Sequence, residues 1–173
     1  IRHRTTHVPS VAGYLVGAIQ GQAGVYVPEE SCLKKAAEMC REKTVLFMAD
    51  EGQTGVGRTG NLLACDHEGV RPDILILGKA LGGGIYPVSA VLADDDIMWC
   101  IRPGEHGSTF GGKPVAARTS IAALEVIRDE KLNENEEELG KVFRDRMRAR
   151  KSDMRQEVRG KGLLNAVVIK PRN

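Results

Sequence analysis

Apolar residues along this chain follow two rhythms. The runs in "VLFMAD" (residues 45–50) and "DILILG" (residues 73–78) are unbroken, without the alternation of a half-solvated strand, and predict strands covered on both faces. Each ends on a polar or glycine position, where a loop would begin. Between such runs the spacing lengthens. Residues 28–44 open on Pro28 and two acids and then place Leu33, Ala36, Ala37, Met39 and Cys40 near one face, which predicts a helix. Residues 13–21 read as a strand running into a glycine-rich turn, and residues 87–93 as a further strand. A proline-initiated helix is predicted over 114–132 and a second, highly charged one over 133–151. The acidic front and basic back of that last helix suit its dipole, and Leu139, Val142, Phe143 and Met147 form a narrow apolar stripe, so its charges read as a solvated face. Residues 158–170 read as a turn followed by one strand. Strand-length and helix-length segments in alternation predict an α/β protein with a mostly parallel sheet flanked by helices.

The pattern changes character at residue 133. Residues 1–132 read as a portion of one large α/β domain, and 133–173 as a connecting helix and the first strand of a smaller C-terminal α+β domain. A lone strand forms no stable sheet, so that second part is expected to be cut short.

Composition narrows the function classes. With 173 residues, 42% hydrophobic and 28% charged, the chain is long enough for a buried core and is not of disordered composition. A net charge of +2, with bases and acids interspersed and no basic stripe carrying aromatics, argues against nucleic acid as a partner. No apolar run approaches the roughly 18 to 20 residues of a membrane helix. Cys32, Cys40, Cys65 and Cys100 are far apart, without a C-x-x-C pair or a histidine at ligand spacing, so no metal or disulfide framework is expected, only reduced, mostly buried thiols. Residues 1–10 lack the apolar core of a signal peptide, and although basic and free of acids they are too few to identify a mitochondrial presequence from, which leaves the compartment to other arguments. The expected protein is soluble and intracellular, in the cytosol or the mitochondrial matrix.

In parallel sheets ligands bind at the carboxyl ends of strands, and three polar residues fall there: Asp50, Gln53 and Lys79. The stretch "GKALGGG" (residues 78–84) suggests a phosphate loop, but that motif puts its lysine after the glycines, and here the order is reversed. A lysine at a strand end, beside glycines that let a flat ring approach, suits condensation with an aldehyde cofactor. Pyridoxal 5'-phosphate is the usual one, and it needs an acid at its ring nitrogen. Asp50 could supply that charge, Gln53 could hydrogen-bond the ring's phenolate oxygen, and Ser108 and Thr109 in "HGSTFGG" could donate to the phosphate. Taken singly these are a helix cap, a loop amide and turn hydroxyls. Their combination points to the cofactor.

At these residues the chain resembles a known family. "FMADEGQTGVGRTG", "RPDILILGKALGGG" and "PGEHGSTFGGKPVAA" resemble the class III pyridoxal-phosphate aminotransferases, and "YPVSAVLADDDIM" with "VRGKGLLNAVVIK" is most similar to their ornithine-transaminating branch. The resemblance implies the large domain of a fold-type I transferase, in which Lys79 matches the Schiff-base lysine, Asp50 the pyridine-nitrogen partner and Gln53 the phenolate partner. Ser108 and Thr109 match phosphate contacts made to the neighbouring subunit's cofactor, which implies a homodimer. The implied reaction moves the δ-amino group of L-ornithine to 2-oxoglutarate, giving glutamate 5-semialdehyde, which cyclises to pyrroline-5-carboxylate, and glutamate, a step of proline and arginine metabolism. An acetylornithine- or 4-aminobutyrate-type ω-aminotransferase and a catalytically silent fragment stay open beside it.

The chain also departs from the family. Members are more than twice as long, so this chain is expected to be a central fragment. Gly52 stands where the family usually has isoleucine or valine against the cofactor ring. Gly17 and Gln22 replace two glutamates, the second of which pairs in the family with the arginine that binds substrate. Gln22 remains a candidate substrate-contacting residue that can hydrogen-bond but carries no charge.

Overall fold

A computed structural model describes residues 11–171, so the basic opening segment considered above, residues 1–10, lies outside the described residues. Four strands form one sheet in chain order: β1 (Gly13–Gly17), β2 (Leu46–Asp50), β3 (Ile74–Leu77) and β4 (Ala90–Ala93). The first three are parallel and β4 runs antiparallel to β3. Helix α1 (Cys32–Glu42) makes the crossover from β1 to β2, and a 3-10 turn (Ala64–Glu68) lies in the crossover from β2 to β3. The core gathers under β2, where Phe47 and Ala49 meet Leu33 and Cys40 of α1 and Ala64 and Cys65 of the 3-10 turn. Strand β2 is an inner strand, but its two faces differ: Phe47 and Ala49 are buried, Leu46 and Met48 only half-buried, and Asp50 emerges at its end, so the burial on both faces expected from the unbroken apolar run is met on one face.

The remaining elements are α2 (Asp95–Met98), α3 (Pro114–Asp129), α4 (Leu132–Ala149), β5 (Arg155–Lys161) and β6 (Leu164–Ile169). Strands β5 and β6 pair antiparallel in a separate hairpin. Sequence had suggested a turn and one strand here; residues 155–161, read as loop and turn, are the first arm of the hairpin, and the reversal is Gly162, whose φ of 52° is in the left-handed region. Helix α4 lies against this hairpin at such close range that a side chain at Gly140 would collide with the Gly162 carbonyl. Its buried positions are therefore Gly140 and Arg144, and not the apolar stripe, since Leu139, Val142 and Phe143 stay exposed. Arg144 reaches over the hairpin turn, donating to Gly162 O at 2.8 Å and Asn165 Oδ1 at 2.9 Å.

Two further expectations are revised. Helix α1 begins at Cys32 and not at Pro28, because Ser31 adopts a left-handed backbone with φ 64° and interrupts the helical path. Of the four cysteines, Cys40 and Cys65 are buried, whereas Cys32 and Cys100 are exposed; all four are free thiols. Among the described residues no helix is long and apolar enough to cross a membrane, and no cluster of side chains suits a metal ion.

Candidate active site

The register of the parallel strands decides where chemistry can occur. Gly17 pairs with Asp50, and Asp50 with Ile76, so the carboxyl ends of β1, β2 and β3 finish side by side. A cleft of about 380 Å³ opens across these ends, lined by Gly17, Ile19, Gln20, Gly21, Gln22, Ala23, Asp50, Gln53, Thr54 and Lys79. Four of the residues singled out from sequence, Gln22, Asp50, Gln53 and Lys79, thus share one cavity although they span 58 positions of chain (79 − 22 + 1). Larger clefts exist, among them one of about 630 Å³ between the 3-10 turn and β4, but there Arg71 is paired with Asp94 while Asp66 and Asp73 accept the Leu63 and Phe47 amides, and it gathers no comparable set.

Each polar group is held by its own neighbourhood. Asp50 is the last residue of β2, and its Oδ1 accepts a hydrogen bond from the Gly52 amide at 3.0 Å, which orients the carboxylate and leaves the other oxygen available to a ligand. The next residue, Glu51, points the opposite way. It is fully buried, and its carboxylate accepts from the Cys65 amide at 2.8 Å and, through a very short bond, from the Thr54 hydroxyl. A buried charge persists only when its oxygens are so satisfied. It ties residues 51–54 to residue 65 and so fixes the base from which Asp50 and Gln53 rise. Burial first, and the Glu51 charge second, push the Cys65 thiol far above its ordinary range, so Cys65 is a neutral packing residue and not a nucleophile.

Lys79 follows β3 and Gly78 and opens a 3-10 turn (Lys79–Gly82) with φ 45°, a left-handed conformation uncommon for a residue with a side chain. Val56, which lines the adjoining cleft with Lys79, is in the same region with φ 58°, and so, away from Lys79 in sequence, are Val25, Ser31, Thr44 and Lys131. Such strain, roughly 1–3 kcal/mol each, persists where surrounding structure over-determines the backbone, and it concentrates at functional sites. The Lys79 side chain is exposed and also borders a second cleft of about 510 Å³ with Gln53, Arg58 and Glu136.

The donor set and the shape suit a flat aldehyde cofactor. An amine and a carboxylate border one cleft, an amide lies between them in chain order, and part of the wall is glycine: a side chain at Gly21 would run into Gln53. At Gly52 a Cβ would stand 3.1 Å from Asp50 Oδ1, tight enough to shift that carboxylate. Ser108 and Thr109 are not part of this cleft. They lie on an exposed stretch after α2, where Ser108 Oγ accepts from the Gly111 amide at 2.9 Å. Sequence reasoning missed Glu51 and Thr54; an adjacent acid pair leaving a strand, one facing solvent and one facing inward, was the available signal.

Comparison with known proteins places the chain in a family. The aminotransferase class-III family model matches residues 2–173. The mitochondrial ornithine aminotransferase of Rattus norvegicus is 56% identical over 167 residues, covering 96% of this chain and 38% of that protein. The ornithine aminotransferase of Bacillus subtilis is 50% identical over 166 residues, covering 96% and 41%. Among solved structures, the Toxoplasma gondii ornithine aminotransferase, in which PLP partly occupies the active site, superposes with TM-score 0.93 at 49% identity over 96% of this chain and 40% of that one. An acetylornithine aminotransferase from Elizabethkingia anophelis gives TM-score 0.94 at 55% identity over 98% and 45%. The chain spans about two fifths of the length of the curated relatives it matches.

Proposed function

The chain belongs to the class-III aminotransferases, and from that premise we propose that it is the lysine-bearing part of a pyridoxal-phosphate enzyme that transfers the δ-amino group of L-ornithine to 2-oxoglutarate. The observation that carries the proposal is the convergence of Asp50, Gln53 and Lys79 on one cleft at the strand ends. Bound pyridoxal phosphate supplies an aldehyde that condenses with amines and a ring that accepts the electron pair of a breaking C–H bond. Asp50 would keep a ring N–H protonated with the carboxylate oxygen that Gly52 leaves available, so that the ring can take up charge. Gln53 would hydrogen-bond the ring oxygen. Lys79 would anchor the aldehyde carbon and, once displaced by substrate, act through Nζ as the base that takes the proton from the carbon bearing the reacting amine and then returns it.

In this reading residues 1–132 belong to the large domain and 133–173 to the connection into a smaller one. Ser108 and Thr109 would serve the cofactor phosphate of a second subunit. Phe110, the residue after Thr109, is 72% exposed, an apolar side chain of the kind a partner surface would cover. The proposed compartment is the mitochondrial matrix or the cytosol. Ornithine is favoured as donor by the identity to ornithine aminotransferases, and N-acetylornithine is the second reading, favoured by the Elizabethkingia structure. The test is to load the protein with pyridoxal phosphate and offer L-ornithine, N-acetylornithine and 4-aminobutyrate in turn. Bleaching of the cofactor's visible band by ornithine, with pyrroline-5-carboxylate formed when 2-oxoglutarate follows, is expected; a response to N-acetylornithine alone would replace the first reading with the second.

A further inference from the structure

One arginine joins the C-terminal hairpin to the rim of the cleft. Arg159, on β5, donates from Nε to the Gly24 carbonyl at 2.9 Å and lays its guanidinium over the Tyr26 ring, 3.8 Å from the centroid. Its Nη1 donates to Glu157 at 2.8 Å, which fixes the plane of the group from the other side. Gly24 admits this approach because it lacks a side chain: a Cβ there would stand 3.1 Å from Nη2, at a φ of 114°. The segment so gripped is a tight loop closed by reciprocal Gln20 and Tyr26 backbone bonds of 3.1 Å, with the Gly24 and Val25 amides turned back onto the Gly21 carbonyl. Gln20, Gly21, Gln22 and Ala23 of this loop form one wall of the cleft that holds Asp50, Gln53 and Lys79.

The residue between the two gripped positions is Val25, buried and held at φ 57°. A branched residue relaxes out of that conformation unless its neighbours hold it. Arg159 holds both neighbours, through a planar donor on one and a cation–π contact on the other. We infer that Arg159 is a positioning residue: it pins the strained 20–26 loop and thereby sets where Gln22 stands relative to the cofactor cleft. The inference rests on the function proposed above only for what occupies the cleft, and not for the clamp itself.

Hydrogen exchange on the full chain tests it. Arg159→Ala is expected to speed exchange of the amides in residues 20–26 about tenfold while β2 and β3 amides keep their wild-type rates. Arg159→Lys, which keeps the charge over Tyr26 and loses the planar fork, is expected to fall between. With pyridoxal phosphate bound, the visible circular dichroism of the cofactor should weaken in Arg159→Ala and recover in part in Arg159→Lys. Unchanged exchange in the loop, uniformly faster exchange throughout, or a loosened loop with an unaltered dichroic signal would each overturn the assignment. A wild-type chain that takes up no cofactor would contradict the proposed function instead, and the exchange measurement would still decide the clamp.

Discussion

Replacing Glu51 probes the support under the site more sharply than replacing any residue in the cleft. The side chain is fully buried, and its two oxygens serve the Cys65 amide and the Thr54 hydroxyl. Glu51→Ala strands both donors in a dry interior, at about 1–3 kcal/mol each, and leaves a void that the surrounding residues fill only in part. Release of a buried charge works the other way and offsets some of this loss. The balance is a destabilisation of about 3 kcal/mol. Glu51→Gln keeps the shape: its carbonyl can still accept from Cys65 and its amide can donate to the Thr54 oxygen, so only the charge-assisted part of each bond is lost, about 1 kcal/mol. For a chain of this length each kcal/mol moves Tm by about 2–4 °C, so the alanine variant should melt about 6–12 °C below wild type and the glutamine variant about 2–4 °C below. Thermal unfolding followed by circular dichroism reads both. If the alanine variant melts within 1 °C of wild type, the claim that Glu51 anchors residues 51–65 is refuted.

Other consequences follow from single residues. Burial raises the Glu136 carboxyl above its ordinary value, with Arg58 pulling the other way, and one of its oxygens and the Asn133 amide oxygen are buried without partners. The folded chain therefore holds that proton to higher pH than the unfolded one; the contribution to stability is complete below the unfolded value of about 4.3 and is lost as pH rises through the folded value. Glu136→Gln should flatten the dependence of Tm on pH above about 4 and stabilise the protein at neutral pH by about 1 kcal/mol, because its amide offers a donor where Asn133 Oδ1 is buried without one. In Gln22→Glu, a carboxylate beside Lys79 favours the ammonium over the free amine, so the pH midpoint for cofactor capture should rise, by up to about one unit; a spectrophotometric pH titration that shows no rise would mean that Gln22 does not face the lysine.

Much of the site was legible because its residues end strands. An apolar run that stops at Asp50 and another that stops before Lys79 mark the carboxyl edge of a parallel sheet, and parallel register alone then brings the two together. The direction of β4 was not legible, since a short apolar run packs equally well in either sense. Strand β5 was hidden because "RQEVRGK" has one buried residue, Val158, and its pairing partner lies across a left-handed glycine that reads as loop. The stripe on α4 misled for a related reason: Gly140 and Arg144 approach the hairpin as small and polar residues, where hydrophobic periodicity has nothing to detect. Arg159 was beyond reach of any local pattern, because its partners, Gly24 and Tyr26, lie 135 and 133 positions earlier (159 − 24 and 159 − 26).

The central claim is that Lys79 is the amine presented to the cofactor. Incubation with pyridoxal phosphate, borohydride reduction and peptide mapping by mass spectrometry test it directly. The account predicts a visible band and a single reduced adduct on Lys79, both absent in Lys79→Ala; an adduct scattered over surface lysines, or one undiminished in Lys79→Ala, would contradict it.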